Sequence, residues 1–186
     1  MPNADSNLRK TGVAENHSES QPGQTANFID LPPVLQRVEF RHLFTLEVAV
    51  DALQAIGDVE GLKRRVGPIA SGRFEGQRLK GRVAPGGSDW QMATGENMTH
   101  LDARIVLETD VGELIGMTFG GIRCGPPDVM VRLARGEFVD PTEYYFRIHA
   151  TFSTGANALG WMNRMIAIGT GHRLPGGPIY NLFEDQ

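Results

Sequence analysis

A single cysteine, Cys124, stands in 186 residues, and that scarcity removes whole classes of structure at once. One thiol closes no internal disulfide and builds no cysteine zinc cluster, so a packed core must hold the fold, and a reducing cytoplasm is the expected location. Placed before Gly125-Pro126-Pro127, the lone thiol reads as inert, because only Arg123 lies near it in sequence to lower its pKa. A basic excess is missing as well: 18 Lys plus Arg face 22 Asp plus Glu, for a formal charge of -4. With no surplus to neutralise phosphates, nucleic acid is not an expected partner. No stretch reaches the roughly 18 apolar residues of a spanning helix, and residues 1–24 lack the apolar core of a secretory signal, so no membrane partner is expected either.

Chemical motifs are equally sparse. The chain has no glycine-rich phosphate loop, no dinucleotide fingerprint and no nucleophile elbow. Its five histidines, at positions 17, 42, 100, 149 and 172, include no short-range pair with metal-ligand spacing. His100 and Asp102 could face one ion, but nothing else supports a metal.

What is present is a pattern of strands. Hydrophobic residues make up 40% and charged residues 22%, an ordinary globular composition. Residues 1–33 are polar and aperiodic and read as a disordered tail, leaving residues 34–186 for one domain. Val38, Phe40, His42, Phe44, Leu46, Val48 and Val50 then alternate with polar or smaller neighbours, the period of a half-buried strand. Similar runs follow at about residues 66–74, 78–83, 89–93, 98–108, 113–123, 144–153, 161–168 and 178–183, separated by glycine-rich turns. Pro126-Pro127-Asp128 opens one short helix, with Val129, Met130, Leu133 and Ala134 on its apolar face and Gly136 as its stop. Many short strands and one helix predict an all-β fold: a single antiparallel β-barrel of about eight to nine strands, closed so that no edge is left exposed.

Parity then sorts the candidate residues without saying which face is the lumen. Asp102 and Arg104 oppose Leu101, Ala103, Ile105 and Leu107. In a cavity they would move protons and orient an oxygenated substrate; on the outside they would be a surface or interface pair of little energetic weight. Tyr145, Arg147 and His149 oppose Tyr144, Phe146 and Ile148, and could polarise a carbonyl or phenolate, or form an exposed face where Tyr stacks on Arg. Trp161 and Asn163 read as one face of a strand, either an aromatic-substrate wall or a core anchor. His42, alone on its apolar face, reads as a satisfied core histidine or a substrate contact. After Pro85-Gly86-Gly87-Ser88, Trp90 would line the barrel mouth, while Asp89 would hold the turn by bonding its own backbone.

Several of these motifs occur in an order that resembles the domain-of-unknown-function 3237 family, also written UPF0311-like. They are Phe74-Glu75-Gly76, Gly81-Arg82-Val83, Pro85-Gly86-Gly87-Ser88-Asp89-Trp90, Leu101-Asp102-Ala103-Arg104, Gly121-Ile122-Arg123, Asp140-Pro141, Tyr144-Tyr145-Phe146-Arg147 and Trp161-Met162-Asn163. The resemblance covers about residues 36–183. It implies a small β-barrel, commonly a homo-oligomer, and for some fungal members a cofactor-free ring closure of aromatic polyketides by hydroalkoxylation. Three positions depart from the family pattern: Ile105 replaces a usual tyrosine, Phe119 a frequent asparagine, and Ser153 a common glutamate. A less polar cavity and a greasier substrate follow.

Together these readings predict an acid-base enzyme of cyclase, isomerase or lyase type that needs no cofactor and acts on a small aromatic or polyunsaturated oxygenated metabolite. Asp102 would shuttle the proton, Arg104 and Arg147 would stabilise oxyanion charge, and Tyr145 would donate a hydrogen bond. Trp90, Phe119 and Trp161 would wall the substrate, with Asn163 and His42 beside it. A non-catalytic binding barrel carries the same walls and arginines, and an oligomer interface would use the same outer rows.

Overall fold

The computed structural model describes residues 31–186. The tail expected over residues 1–33 therefore lies, up to residue 30, outside the described residues. A one-turn helix α1 (Pro33–Gln36) belongs to a first unit ending at Arg37, and Val38–Gln186 forms the barrel unit.

The barrel is built from β1 (Phe40–Val50), β2 (Gln54–Val59), β3 (Leu62–Glu75), β4 (Lys80–Thr94), β5 (Met98–Thr109), β6 (Leu114–Cys124), β7 (Tyr145–Ser153), β8 (Ala167–Leu174) and β9 (Gly177–Asp185). Every pairing is antiparallel, in the order β1-β9-β8-β7-β6-β5-β4-β3-β2, and β1 also pairs with β3. That last pairing closes an eight-stranded ring and leaves β2 as a ninth strand on the projecting half of β3. Closure satisfies the backbone groups that an open sheet would expose at its edges.

Alternation dictates what fills the ring. Leu101, Ala103, Ile105 and Leu107 of β5, Ile115, Met117 and Phe119 of β6, and Phe146, Ile148, Ala150 and Phe152 of β7 all point inward and are buried. Their aromatic members interlock: Phe44 meets Phe74 at 5.3 Å and Phe152 at 6.1 Å, while Tyr180 meets Phe119 at 5.5 Å and Phe146 at 5.4 Å. Phe44 and Phe74 are tilted and the other three pairs edge-on, and aromatic pairs of this kind add about 0.5–1.5 kcal/mol each beyond the burial itself.

Four sequence expectations change. In β1 the register against β9 shifts between His42 and Phe44, so Leu43 and Phe44 are both buried and His42 is turned outward. Pro85-Gly86-Gly87 is not a turn; β4 runs through it, and a bulge there, with Gly86 at φ 102°, skips register against both neighbours. The strand expected at 161–168 is instead a 3-10 helix, Asn157–Arg164, followed by β8. Leu159 and Met162 recur at its three-residue period and are buried. β2 was not foreseen, because all six of its residues are exposed and no face repeats. The expected helix is present as α2 (Pro127–Ala134), with Val129, Met130 and Leu133 buried and Gly136 at φ 75° after its end.

One end of the barrel is closed by charge. Glu184 faces inward, 3% exposed, and accepts from Arg41 Nε at 2.5 Å and from Arg78, whose guanidinium lies 3.8 Å from the Trp161 ring centroid.

Candidate functional site

At the opposite end, the inward rows of five strands finish in polar residues. Arg65 on β3, Gln91 and Asp89 on β4, Arg123 on β6, Arg173 on β8 and Tyr180 on β9 all line one cavity of about 60 Å³, with Val50, Leu53 and Pro178 between them. α2 follows β6 directly, and its Leu133 and Ala134, with Leu101 of β5, supply the remaining cover. One water needs only about 10–15 Å³ of such space, so the chamber has room for a few waters or one small polar group.

The side chains are held, yet not saturated. Arg65 Nε donates to Gln91 Oε1 at 2.8 Å, and Gln91 Nε2 donates to Asp89 Oδ2 at 2.6 Å, a chain crossing β3 and β4. The Tyr144 hydroxyl accepts from the Arg173 backbone N–H at 2.9 Å and fixes the start of the β8 arginine. Asp89 Oδ1 and Arg123 Nε, in residues 6% and 8% exposed, have no hydrogen-bond partner. Among the described residues, no ion pair joins Asp89 to an arginine. Two orphaned buried polar atoms in one small chamber are a costly arrangement unless something else satisfies them, at about 1–3 kcal/mol apiece.

Burial sets the electrostatics. It pushes the Asp89 carboxyl above the ordinary carboxylate range, against the opposing pull of the Gln91 hydrogen bond, the Arg123 charge, the Asp102 backbone N–H and the Arg65 charge. Burial likewise lowers Arg123, Arg65 and Arg173, and it raises the Tyr180 phenol, which therefore remains a hydrogen-bond donor. The chamber thus combines a carboxyl biased toward its protonated form with three guanidiniums that stay charged. Such a set can donate a proton and stabilise an oxyanion on the same small group.

The residues singled out in the sequence lie elsewhere, with one exception. Asp102, Arg104, Tyr145 and Arg147 are exposed on the outer face, because Leu101, Ala103, Phe146 and Ile148 take the inward parity of their strands. Trp90 is paired in register with Asp102, and the two line an adjoining depression of about 290 Å³ that shares Arg65, Gln91 and Leu101 with the chamber. Arg147 stacks on Tyr145 at 5.0 Å, the surface arrangement. His42 is exposed and bonds Asn181 Oδ1 at 2.8 Å, so it is neither a core histidine nor a chamber residue. Trp161 covers Arg78 at the closed end, and Asn163 clasps Thr154 through two backbone bonds of 2.8 and 3.0 Å. Only Phe119 faces the lumen, where its ring abuts Tyr180. Of the three positions set against the family pattern, Ile105 and Phe119 face the lumen, whereas Ser153 is exposed.

Asp89 is also corrected. It sits within β4, opposite Gly67 and Ala103, and points inward instead of fixing a turn. A usable signal was present: Arg123 continues the apolar row Ile115, Met117, Phe119, Gly121, and a charge at the end of an inward row marks a lumen mouth. A larger cavity of about 440 Å³ lies where β1 meets β3 and β9, between Glu47, Arg73 and Leu174, but neither of the two orphaned buried atoms lines it.

Comparisons with known proteins agree with this architecture. A family model described as a protein of unknown function (DUF3237) matches residues 38–184. A UPF0311 protein of Clostridium acetobutylicum is 32% identical over 152 residues, 81% of this chain and 96% of its own. A crystal structure of a conserved protein of unknown function from Rhodopseudomonas palustris superposes with a TM-score of 0.78 at 29% identity, covering 81% of this chain and 99% of that one. A β-barrel-like protein from Acinetobacter baumannii gives 0.72 at 34% identity, with 84% and 99% covered. An enzyme from Penicillium herquei shares the fold at a TM-score of 0.61 and 15% identity, covering 80% and 95%.

Proposed function

Since this chain belongs to the DUF3237 family of proteins of unknown function, we propose that it is an acid-base enzyme whose reacting centre is the Asp89 chamber. The supporting observation is the pair of orphaned buried atoms, Asp89 Oδ1 and Arg123 Nε, facing one cavity. That a barrel of this fold in Penicillium herquei is an enzyme also favours catalysis. The proposed reaction is of cyclase, isomerase or lyase type on an oxygenated, partly apolar metabolite. In a ring closure, the substrate hydroxyl oxygen forms the new C–O bond to the alkene carbon remote from a conjugated carbonyl, protonated Asp89 delivers its proton to the carbon beside the carbonyl, and the hydroxyl proton returns to the Asp89 carboxylate. Arg123, Arg65 and Arg173 stabilise negative charge that develops on a conjugated carbonyl oxygen, and Tyr180 donates to the same region. Holding the two reacting ends together supplies much of the rate, up to about 7–11 kcal/mol when alignment is good.

Proton exchange tests this without knowledge of the natural substrate. Aryl ketones and hydroxyenones incubated in heavy water with the protein should gain deuterium beside the carbonyl or close a ring. Asp89→Asn should slow that by roughly 10²–10⁴-fold, the range for a general acid-base. Binding of these compounds with no exchange or closure in any variant would favour a non-catalytic binding barrel.

A further inference from the structure

The chamber alone is too small for a metabolite, so the body of any substrate must lie outside it. Two cavities adjoin it, and strand parity chooses between them. The depression holding Trp90 and Asp102 shares Arg65, Gln91 and Leu101 with the chamber, but the rest of its lining is the outward row of Arg64, Met92 and His100, and it does not reach Arg123. The other, of about 350 Å³, is lined by Lys63, Arg65, Ala93, Thr99 and Arg123, the inward parity of β3, β4, β5 and β6, and is roofed by Met130, Val131 and Ala134 of α2. Arg65, Arg123 and Ala134 line both this annex and the chamber. The lumen therefore continues past Arg65 and Arg123 into a space under α2, and with it reaches the 300–1,000 Å³ usual for small-molecule sites.

The annex differs in chemistry from the chamber. Met98 and Met130 give it adaptable apolar walls, and Lys63 and Glu96 stand at its outer margin. Arg123, more than nine-tenths buried and unpartnered at Nε, is the boundary between the two spaces.

We propose that the site is bipartite and takes amphipathic oxyanions head first. A carboxylate, enolate or phenolate oxygen enters the chamber between Asp89 and Arg123, and an apolar chain or ring of roughly medium length lies under α2 in the annex. This rests on the reading of the Asp89 chamber as the binding site, and it adds the class of ligand: an organic monoanion with a hydrophobic body.

The test is an amide-shift NMR titration of the full chain with acetate, octanoate and octylamine, in the wild type, Val131→Trp and Arg123→Gln. Val131 is exposed, so tryptophan there fills the annex without burdening the fold. Each methylene removed from water is worth roughly fourfold in affinity, so burial of only two of the chain's methylenes gives octanoate an advantage over acetate of more than about tenfold. Octylamine should not bind. Val131→Trp should erase most of the octanoate advantage and leave acetate unchanged, and Arg123→Gln should weaken both anions at least about tenfold. Equal affinity for acetate and octanoate, or an octanoate advantage that survives Val131→Trp, overturns the annex while an Arg123-dependent acetate site leaves the chamber standing. Failure of both anions to bind, or binding indifferent to Arg123, overturns the chamber reading together with it.

Discussion

Gln91 Nε2 donates to Asp89 Oδ2 at 2.6 Å from two residues along the same inward row of β4, leaving the other carboxyl oxygen unpartnered. One oxygen is thus held while its twin is offered to the chamber. That asymmetry suits the acid role proposed for Asp89.

Asp89→Asn should show the cost of this arrangement in a pH series of thermal unfolding. Burial raises the folded carboxyl above its unfolded value of about 3.9, so its favourable contribution is complete below that value and is lost as the pH rises through the folded pKa. Asparagine keeps the neutral form at every pH. The variant should therefore melt higher than the wild type at pH 8, with the gap closing as the pH falls toward 4; a constant gap would mean Asp89 titrates normally.

Arg123→Met should trade binding for stability. It removes a buried guanidinium with an unpartnered Nε and keeps a similar apolar length, so stability should hold or rise by about 1–3 kcal/mol in a denaturant titration. Octanoate binding should disappear in the same protein. A large loss of stability would show that Arg123 is a structural tie.

At the closed end, Arg78→Ala should cost about 1.5–3 kcal/mol, since it strips the buried Glu184 of one of two cationic donors and uncovers Trp161. Arg41→Ala, whose side chain is 52% exposed, should cost less. Reversal of that order would assign the end's stability to packing and not to the ion pair.

Asp102→Asn provides the contrast. The side chain is on the outer face beside Trp90, and such surface changes are usually within about 0.5 kcal/mol. Deuterium exchange should match the wild type. A loss of exchange there would return the chemistry to the outer depression.

The barrel was largely legible because β5, β6 and β7 alternate without interruption, and closure was expected because an open sheet of many short strands would expose its edges. The site was not, for a reason of parity. Asp102, Arg104, Tyr145 and Arg147 drew notice as conspicuous polar rows, but a whole polar row is what water faces. The chamber is made by single polar residues that end apolar rows, Arg123 after Phe119 and Gly121, Tyr180 before Leu182. Asp89 was further disguised by the glycines before it, which signal a turn in sequence and form a bulge in the folded strand. Convergence of Arg65, Arg123 and Arg173 depends on which strands are neighbours across the ring, and periodicity within one strand carries no such information.

The most direct measurement is a carbon NMR titration of the Asp89 carboxyl, with and without octanoate, using Asp89→Asn to assign the signal. An acid site at Asp89 requires a midpoint above the ordinary carboxylate range in the free protein, and a midpoint that moves when the anion binds between Asp89 and Arg123. A midpoint near 3.9 that octanoate leaves untouched would contradict it.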